Sequence, residues 1–257
     1  MSADDPIEAL ARTAHLLVAL DFDGTLAPLI DEPMSARMSA EARRAVDALV
    51  AAPDTTVALV SGRTLRDLRE IAEHDDRSPL LLAGSHGAEQ WPADAAPDAP
   101  DAELLALRDD LRREAEHRAA RTDGAWIEPK EFGFALHTRL VGDADKKSRV
   151  QQEVAALMTA RAPQWRRRDG HDILEYAFRA EGKDAAVARL REQTGATAVL
   201  FAGDDVTDED ALRSLQPGDL GVRVGGGETA ATVRVGGIPE LAALLTRLAH
   251  LRFTRRQ

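Results

Sequence analysis

One short segment, LLVALDFDGTLAPL at positions 16–29, constrains the fold more than any other part of the chain. The apolar run that ends at Leu20 is typical of a strand buried on both faces of a parallel sheet. Two aspartates, Asp21 and Asp23, follow it, and residues two apart in an extended chain point to the same side. Because open α/β sheets bind ligands at the carboxyl ends of their strands, the segment predicts a polar site there.

The two aspartates also indicate what this site binds. Carboxylates held this close repel each other unless a proton or a cation lies between them. A hard divalent cation such as Mg²⁺, which prefers oxygen ligands, is the simplest solution. The residues alone therefore indicate a metal-assisted site around Asp21 and Asp23.

Composition excludes several classes of protein. The formal net charge of −11 argues against non-specific nucleic-acid binding, and the absence of cysteine excludes disulfides and thiolate metal sites. The N-terminus is acidic and no apolar run is long enough to cross a bilayer. We therefore expect a cytoplasmic monomer that acts on a small molecule and has no nucleic-acid or membrane partner.

The spacing of apolar residues predicts two domains. Strand-like and helix-like segments alternate within residues 1–100 and again within 180–257, which favours one α/β domain with a parallel sheet. A Pro-, Ala- and Asp-rich segment at 92–100 is typical of a linker. Ser39 is the expected N-cap of the helix predicted at 40–51. The expected strands are 16–20, 56–60, 80–82, 198–202, 221–224 and 232–235, and the expected helices are 40–51, 64–73, 183–194, 211–215 and 239–251.

Residues 101–179 follow a different pattern. Helical segments at 104–120 and 145–161 are each followed by a predicted hairpin, the second one turning at Asp169-Gly170. The order αββαββ predicts an antiparallel sheet with helices on one face. We interpret this part as an α+β domain inserted into the first.

Polar residues follow four of the predicted core strands. Besides Asp21 and Asp23, these are Ser61, the Ser85-His86-Gly87 segment, and Gly203 with the acidic residues after it. Strand ends are often polar because they enter loops, and this general tendency explains one or two of these sites. It does not readily explain why a pair of aspartates follows the first of the four strands and another pair follows the last. Four parallel strands would bring these residues to one rim.

The acidic segment after Gly203 supplies the next candidate ligands. Asp204 is best placed to approach a metal at Asp21 and Asp23, and Asp208 is a further ligand or a residue that supports one. The EF-hand spacing is absent, so a calcium-binding module is a remote alternative.

Two other groups of charged residues stand out. Lys183 lies where the α/β pattern resumes, and it either balances the carboxylates or is a solvated residue of the first helical turn. The inserted domain gathers five such residues on its two hairpins: Glu128, Lys130, His137, Arg139 and Glu175. Charged residues on a sheet face are often merely solvated, and taken alone these five favour that interpretation.

At this point the chain resembles the haloacid dehalogenase superfamily of phosphotransferases. The motifs DFDGT, VSGR, a lysine and GDDVTDED occur in the expected order, and the αββαββ insertion resembles the superfamily's C2-type cap. Within it, the chain is most similar to trehalose-6-phosphate phosphatases, through GSHGAE at 84–89, EPK at 128–130 and HTR at 137–139. The similarity extends from Val18 to Leu245. The chain departs from the family pattern at Lys183: the family usually has Lys-Gly, whereas here Gly182 precedes the lysine and Asp184 follows it.

The resemblance implies a Rossmann-like hydrolase core with a cap that selects the substrate. It implies a Mg²⁺-dependent phosphatase that hydrolyses trehalose 6-phosphate through an aspartyl-phosphate intermediate. Separately, we expect no fused synthase domain, because the sequence ends soon after the core segments. Asp21 would be the nucleophile and Asp23 the general acid and base. The Asp21 side chain, the Asp23 backbone carbonyl and Asp204 would bind the metal, with Asp208 a further candidate.

The remaining candidate residues receive supporting roles from the same resemblance. Ser61, Gly62 and Lys183 would hold the phosphoryl oxygens. Asp205 would position Lys183 or complete the outer shell of the metal. Sugar hydroxyls would be bound by the five cap residues, of which His137 is the weakest candidate: Glu128, Lys130, His137, Arg139 and Glu175.

Other functions remain open at this point. A related phosphatase acting on sucrose phosphate or a mannosyl phosphate is the nearest, although the cap hairpin at 128–139 favours trehalose. A phosphomutase would need a cap that retains and reorients a bisphosphate. A catalytically silent sugar-phosphate-binding protein is disfavoured because Asp21 and Asp23 are both present.

Overall fold

The computed structural model describes residues 5–92, 101–170, 172–178 and 182–255 of the chain. The chain divides into two compact units, residues 1–96 with 181–257 and residues 97–180. We call them the core unit and the inserted unit. Most of the predicted linker, at 93–100, lies outside the described residues.

The core unit is built on one sheet whose strands are β1 (Leu16–Leu20), β2 (Thr55–Val60), β3 (Leu81–Gly84), β4 (Glu89–Trp91), β9 (Ala198–Gly203), β10 (Leu220–Val224) and β11 (Val233–Val235). Their order across the sheet is β11-β10-β9-β1-β2-β3-β4. Neighbouring strands are parallel except for the antiparallel pair of β3 and β4. β1 therefore lies in the middle, between β2 and β9.

Helices cover both faces of this sheet. They are α1 (Pro6–Ala11), α2 (Ala40–Ala51), α3 (Leu65–Ile71), α6 (Lys183–Thr194), α7 (Glu209–Ser214) and α8 (Ile238–Thr254). Alternate residues of β1 enter different apolar clusters: Val18 and Leu20 pack with residues of α2 and α8, whereas Leu17 and Ala19 pack with residues of α6. β1 is thus buried on both faces, as its unbroken apolar run predicted.

The inserted unit contains α4 (Ala102–Ala119), β5 (Trp126–Lys130), β6 (Gly133–His137), α5 (Ala144–Arg161), β7 (Arg166–Gly170) and β8 (Ile173–Ala177). Its antiparallel sheet has the order β5-β6-β8-β7. Phe134, Leu136 and Leu174 pack on one face with residues of α4 and α5. The parallel-sheet core and the αββαββ insertion that the sequence predicted are therefore confirmed.

Three local details differ from the sequence prediction. α1 and β4, of six and three residues, were not predicted. Asp169-Gly170 does not form the hairpin turn, since β7 continues through Gly170, which lies opposite Ile173. A Cβ on Gly170 would lie 2.5 Å from Ile173 Cγ2, so this glycine permits a close cross-strand contact.

Several helix ends have identifiable caps. The Ser39 hydroxyl accepts a hydrogen bond from the Ala42 N–H at 3.1 Å, which confirms the predicted N-cap of α2. Asp5 caps α1 in the same manner, through the Ile7 N–H at 3.0 Å. Among the helices of the described residues, none is both long and apolar enough to span a bilayer.

Candidate active site

Three neighbouring strands of the core end at one rim. Asp21 follows β1, Ser61 follows β2 and Asp204 follows β9. The Asp21 N–H donates to the Ala202 carbonyl at 2.9 Å, so the chain still follows the ladder at this residue. The parallel order thus brings polar residues far apart in sequence to the same edge, as expected for an α/β sheet.

A buried ion cluster lies at this rim. Lys183 Nζ donates to Asp21 Oδ1 at 2.6 Å and to Asp208 Oδ1 at 2.5 Å. All three side chains are buried; that of Lys183 is 3% exposed and that of Asp208 is fully covered. Of the two interpretations of Lys183, the structure therefore supports the partner of the carboxylates and not the solvated residue.

Asp204 completes a group of three carboxylates. Asp21, Asp204 and Asp208 each offer an oxygen atom within 4.8 Å of the other two. The buried Thr25 hydroxyl lies 3.2 Å from Asp21 Oδ2 and 3.3 Å from Asp204 Oδ1. Thr25 therefore bridges the strand-end loops that follow β1 and β9.

Asp208 organises the acidic loop in addition to pairing with Lys183. Its Oδ2 accepts the backbone N–H groups of Asp204 and Asp205, each at 2.9 Å. The Asp208 N–H in turn donates to the Asp205 carbonyl at 3.2 Å. Both oxygens of Asp208 are thus engaged, which favours a supporting role beside the metal over direct ligation.

Two glycines make this approach of carboxylates sterically feasible. Gly24 has a φ of +75°, and a Cβ there would lie 2.0 Å from Asp204 Oδ2. A Cβ on Gly203 would lie 2.2 Å from the Asp208 carboxyl carbon. Any larger residue at either position would displace the carboxylate beside it.

The electrostatics of the cluster show an excess of negative charge. Burial raises the pKa of Asp21 well above its usual range, and Asp208 and Asp204 raise it further against the opposing effect of Lys183. Burial, followed by the charge of Asp208, raises the pKa of Asp204 from 3.8 to about 6. Burial alone would lower the pKa of Lys183, but the carboxylates of Asp208 and Asp21 outweigh it and raise that pKa.

These observations test whether a metal fits. The donors are carboxylate oxygens, the atoms that hard divalent cations prefer, and one lysine does not neutralise three clustered carboxylates. The residues present therefore fit a cation such as Mg²⁺.

We expect Mg²⁺ to stabilise the protein more at neutral than at acidic pH. Because the folded-state pKa of Asp204 is raised, its contribution favours folding of the metal-free protein at low pH and is lost as pH rises from 3.8 to about 6. Above about pH 6, where Asp204 is ionised, we expect the cluster to bind the cation instead. At ~100 times its Kd, the cation contributes about 2.7 kcal/mol, which corresponds to roughly 5–10 °C in Tm.

Thermal unfolding with and without MgCl₂ at about pH 5 and pH 7.5 measures this effect. Potassium chloride of equal ionic strength controls for screening. An equal Mg²⁺ shift at the two pH values would contradict the prediction.

Asp23 does not share this carboxylate cluster. Arg63 Nε lies 2.6 Å from Asp23 Oδ2, and Arg63 Nη2 lies 2.7 Å from Asp23 Oδ1. The expectation that the Asp21 and Asp23 side chains project together rested on strand alternation, and it stays a prediction. β1 ends at Leu20, so the alternation of a strand does not extend to Asp23. Metal binding by the Asp23 backbone carbonyl stays a prediction.

The candidate phosphate-binding loop follows β2 and is fixed by the loop after β3. The buried Ser61 hydroxyl accepts the Arg63 N–H at 3.1 Å. The His86 N–H donates to the Ser61 carbonyl at 2.9 Å. A Cβ on Gly62 would lie 2.8 Å from the His86 ring, so Gly62 is needed for this contact.

In the inserted unit, the candidate sugar-binding residues occupy the sheet face opposite its helices. Lys130 Nζ donates to Glu128 Oε1 at 2.6 Å, and His137 Nε2 lies 2.7 Å from Glu128 Oε2. The His137 ring stacks on Trp126 with a centroid distance of 4.6 Å. Arg139 places its guanidinium 5.3 Å from the Trp126 ring.

Glu175 lies in the same cross-strand row as Glu128. The register runs from Glu128 through Ala135 to Glu175, which lies opposite Arg168. Arg168 Nη1 donates to Glu175 Oε1 at 3.1 Å. Burial alone would raise the pKa of Glu128, but His137 and Lys130 outweigh it and lower that pKa to about 2.

The structure adds residues to which the sequence had assigned no role. Thr25 and Arg63 lie inside the quoted motifs DFDGT and VSGR, so their position in these motifs could have identified them. Arg223 Nη1 donates to the Asp205 carbonyl at 2.8 Å and lies 3.3 Å from Glu209 Oε1. Arg223 therefore stabilises the acidic loop after β9. No local sequence pattern predicts the pairing of Arg223 with Glu209.

Comparisons with known proteins agree with this geometry. Residues 19–235 match the family model described as trehalose-phosphatase. The chain is 31% identical over 228 residues to the trehalose-6-phosphate phosphatase of Escherichia coli (strain K12), across 86% of this chain and 82% of that protein. It is 29% identical over 234 residues to the probable trehalose-phosphate phosphatase 4 of Oryza sativa subsp. japonica, across 87% of this chain and 62% of that longer protein.

Among solved structures, the C-terminal domain of Candida albicans trehalose-6-phosphate phosphatase is similar in fold. The TM-score is 0.77, the sequence identity is 19%, and 95% of each chain is covered.

Proposed function

This chain belongs to the trehalose-phosphatase family, and from that premise we propose that it hydrolyses trehalose 6-phosphate to trehalose and phosphate with the help of Mg²⁺. The observation that carries the proposal is the buried cluster at the strand ends, in which Lys183 contacts Asp21 and Asp208 beside Asp204. We assign the chemistry to the core unit and the choice of sugar to the inserted unit.

Asp21 is the proposed nucleophile. One carboxylate oxygen attacks phosphorus while the bond from phosphorus to the sugar oxygen breaks, which gives an aspartyl phosphate that water then hydrolyses. The nucleophile must be ionised, although burial raises its pKa. Lys183, 2.6 Å from Asp21 Oδ1, supplies positive charge that favours the ionised form.

The metal would be held by the carboxylates of Asp21 and Asp204, with Asp208 beside them and the Asp23 carbonyl as a proposed further ligand. When bound, Mg²⁺ supplies positive charge that neutralises the phosphoryl oxygens. Ser61, Gly62 and Lys183 are proposed to hold those oxygens. This role suits Ser61 and Gly62 because the His86 N–H holds the Ser61 carbonyl and the His86 ring packs closely on Gly62.

Asp23 is the proposed general acid and base. A sugar alkoxide is a poor leaving group, so its oxygen needs a proton as the bond to phosphorus breaks. The same carboxylate then accepts a proton from the water that hydrolyses the intermediate. It lies two residues after Asp21 in the loop that follows β1, which suits this role.

Selection of the sugar is assigned to the polar face of the inserted sheet. This face presents carboxylates, amines and the indole of Trp126, groups that match the many hydroxyls of a disaccharide. Glu128 is the centre of this arrangement because both of its oxygens are engaged by neighbours.

Glu128→Ala should impair trehalose 6-phosphate hydrolysis far more than 4-nitrophenyl phosphate hydrolysis. Hydrogen bonds to a charged group contribute about 1.5–3 kcal/mol, so kcat/KM for the sugar ester should fall about 10- to 100-fold. The aryl ester has no sugar to recognise and should change less than about threefold. Asp169→Ala, which removes an exposed carboxylate on β7 at the opposite edge of the same sheet, is the matched control. Equal losses on both esters would refute the assignment.

The experiment that tests the proposed function compares phosphate release from three sugar phosphates in MgCl₂. Trehalose 6-phosphate should be hydrolysed in preference to sucrose 6-phosphate and glucose 6-phosphate. Preference for another ester would keep the chemistry of the core unit but refute the substrate. No release from any of them by folded protein would refute the proposed function.

A further inference from the structure

We propose that Arg63 is a positioning residue that orients the carboxyl group of Asp23 for proton transfer to the leaving sugar oxygen. The inference rests on the proposed function, because it takes Asp23 as the general acid and base. Arg63 lies in the VSGR motif, but no catalytic or phosphate-binding role was assigned to it from the sequence.

The contact between the two side chains is bidentate. Arg63 places Nε 2.6 Å from Asp23 Oδ2 and Nη2 2.7 Å from Asp23 Oδ1. Two parallel hydrogen bonds from a planar guanidinium fix both the rotation and the plane of a carboxylate, which a single contact does not. The side chains are 19% and 26% exposed, so the pair is accessible from the rim yet shielded from most solvent competition.

The backbone of Arg63 is fixed on both sides. Its N–H donates to the Ser61 hydroxyl at 3.1 Å, and its carbonyl accepts the Ser85 N–H at 2.6 Å. Ser61 in turn accepts the His86 N–H through its own carbonyl at 2.9 Å. The loop after β2 is therefore attached to the loop after β3 at two neighbouring carbonyls.

The loop after β3 adopts an uncommon backbone to make these contacts. Ser85 and His86 have φ values of +48° and +57°, in the left-handed region that residues other than glycine rarely occupy. The Ser85 hydroxyl donates to the Glu89 carboxylate, which also accepts the Leu65 N–H at 3.1 Å. Strained conformations of this kind persist where surrounding contacts impose them, often at functional sites.

The chemistry explains why such orientation matters. Both Asp23 oxygens accept hydrogen bonds from Arg63, which is the arrangement of the carboxylate that takes a proton from the attacking water in the second step. In the first step, as the new bond from Asp21 to phosphorus forms, the electron pair of the broken bond goes to the sugar oxygen, which takes a proton from the protonated Asp23 carboxyl group; one of the two contacts with Arg63 is released in that form and the other keeps the carboxyl group in place. Asp23 is left as a carboxylate and recovers its proton from the attacking water in the second step. In both steps the carboxyl oxygen must face the reacting oxygen, and Arg63 limits its rotation.

A series of phosphate monoesters with leaving groups from alkyl alcohols to 4-nitrophenol tests the inference. Arg63→Gln should lower kcat/KM on alkyl esters about 10- to 100-fold but change 4-nitrophenyl phosphate hydrolysis less than about threefold, since a good leaving group needs little protonation. The dependence of kcat/KM on leaving-group pKa therefore becomes steeper. Arg63→Lys, which keeps the charge but not the bidentate contact, should be intermediate.

A double-variant cycle separates positioning from folding. Arg63→Gln should add little to the loss in Asp23→Asn, because both act on the same proton transfer. The Mg²⁺-induced shift in Tm should be unchanged, since the carboxylate that Arg63 pairs with is that of Asp23, which is not one of the three clustered carboxylates. Arg44→Gln, an exposed arginine on α2, is the matched control.

Equal losses on all esters, or additive losses with Asp23→Asn, would overturn the inference and assign Arg63 to phosphate binding or to the fold. Unchanged activity on alkyl esters would overturn it as well. A failure of the proposed function looks different, because the wild-type protein itself would then hydrolyse no ester, or would hydrolyse alkyl esters without any preference for trehalose 6-phosphate.

Discussion

Asp21→Asn should reduce phosphate release from any monoester by at least about 10³-fold, because an amide cannot take the place of the attacking carboxylate. The substitution preserves the size of a side chain that is buried at the end of β1. Steady-state phosphate release measures the loss. The intact mass of acid-quenched protein should show a phosphoryl group on the wild type and none on the variant.

The same variant should stay folded. The pKa of Asp21 is raised in the folded state, which means that ionising it there opposes folding, and the opposition is present at neutral pH. A neutral amide removes that cost, so the metal-free Tm of the variant at about pH 7.5 should equal or exceed that of the wild type. Asp47→Asn, an exposed aspartate of α2, is the matched control. Retained activity in Asp21→Asn would refute the nucleophile assignment.

Sequence alone predicted the parts of this molecule that depend on apolar patterning. The run before Asp21 predicted a strand buried on both faces, and β1 is such a strand. Because parallel strands end at the same edge of a sheet, the same pattern predicted that Asp204 would approach Asp21, although 183 positions of sequence separate them. Both residues belong to the cluster of three carboxylates in the structure. A predicted parallel topology thus implies that residues distant in sequence lie close together at the strand ends.

The side-chain partners were not predictable in the same way. Whether Lys183 is solvated or buried depends on where α6 begins relative to β1, a packing relation that no local pattern encodes. The orientation of Asp23 depends on a chain that has left the strand and is held by Arg63, 40 positions later. Charged pairs of this kind follow from tertiary geometry, so sequence spacing alone leaves them open.

Lys183→Met should destabilise the protein and also impair catalysis. The substitution keeps a long side chain but removes the cation between Asp21 and Asp208, and breaking a buried ion pair on one side costs about 3–5 kcal/mol. For a unit of this size, such a loss lowers Tm by roughly 6–20 °C. kcat should fall about 100-fold or more, because a preorganised positive charge beside the nucleophile is lost.

The pH dependence distinguishes this mechanism from a general packing defect. Without the lysine, the carboxylates are relieved only by protonation or by a cation, so the Tm deficit should be largest above about pH 7 and shrink towards pH 5 or on addition of Mg²⁺. A packing defect would be nearly independent of pH. Lys183→Arg, which keeps the charge, should recover part of the stability, and Lys146→Met, an exposed lysine on α5, should have little effect. A Tm deficit of equal size at both pH values would show that Lys183 does not neutralise these carboxylates.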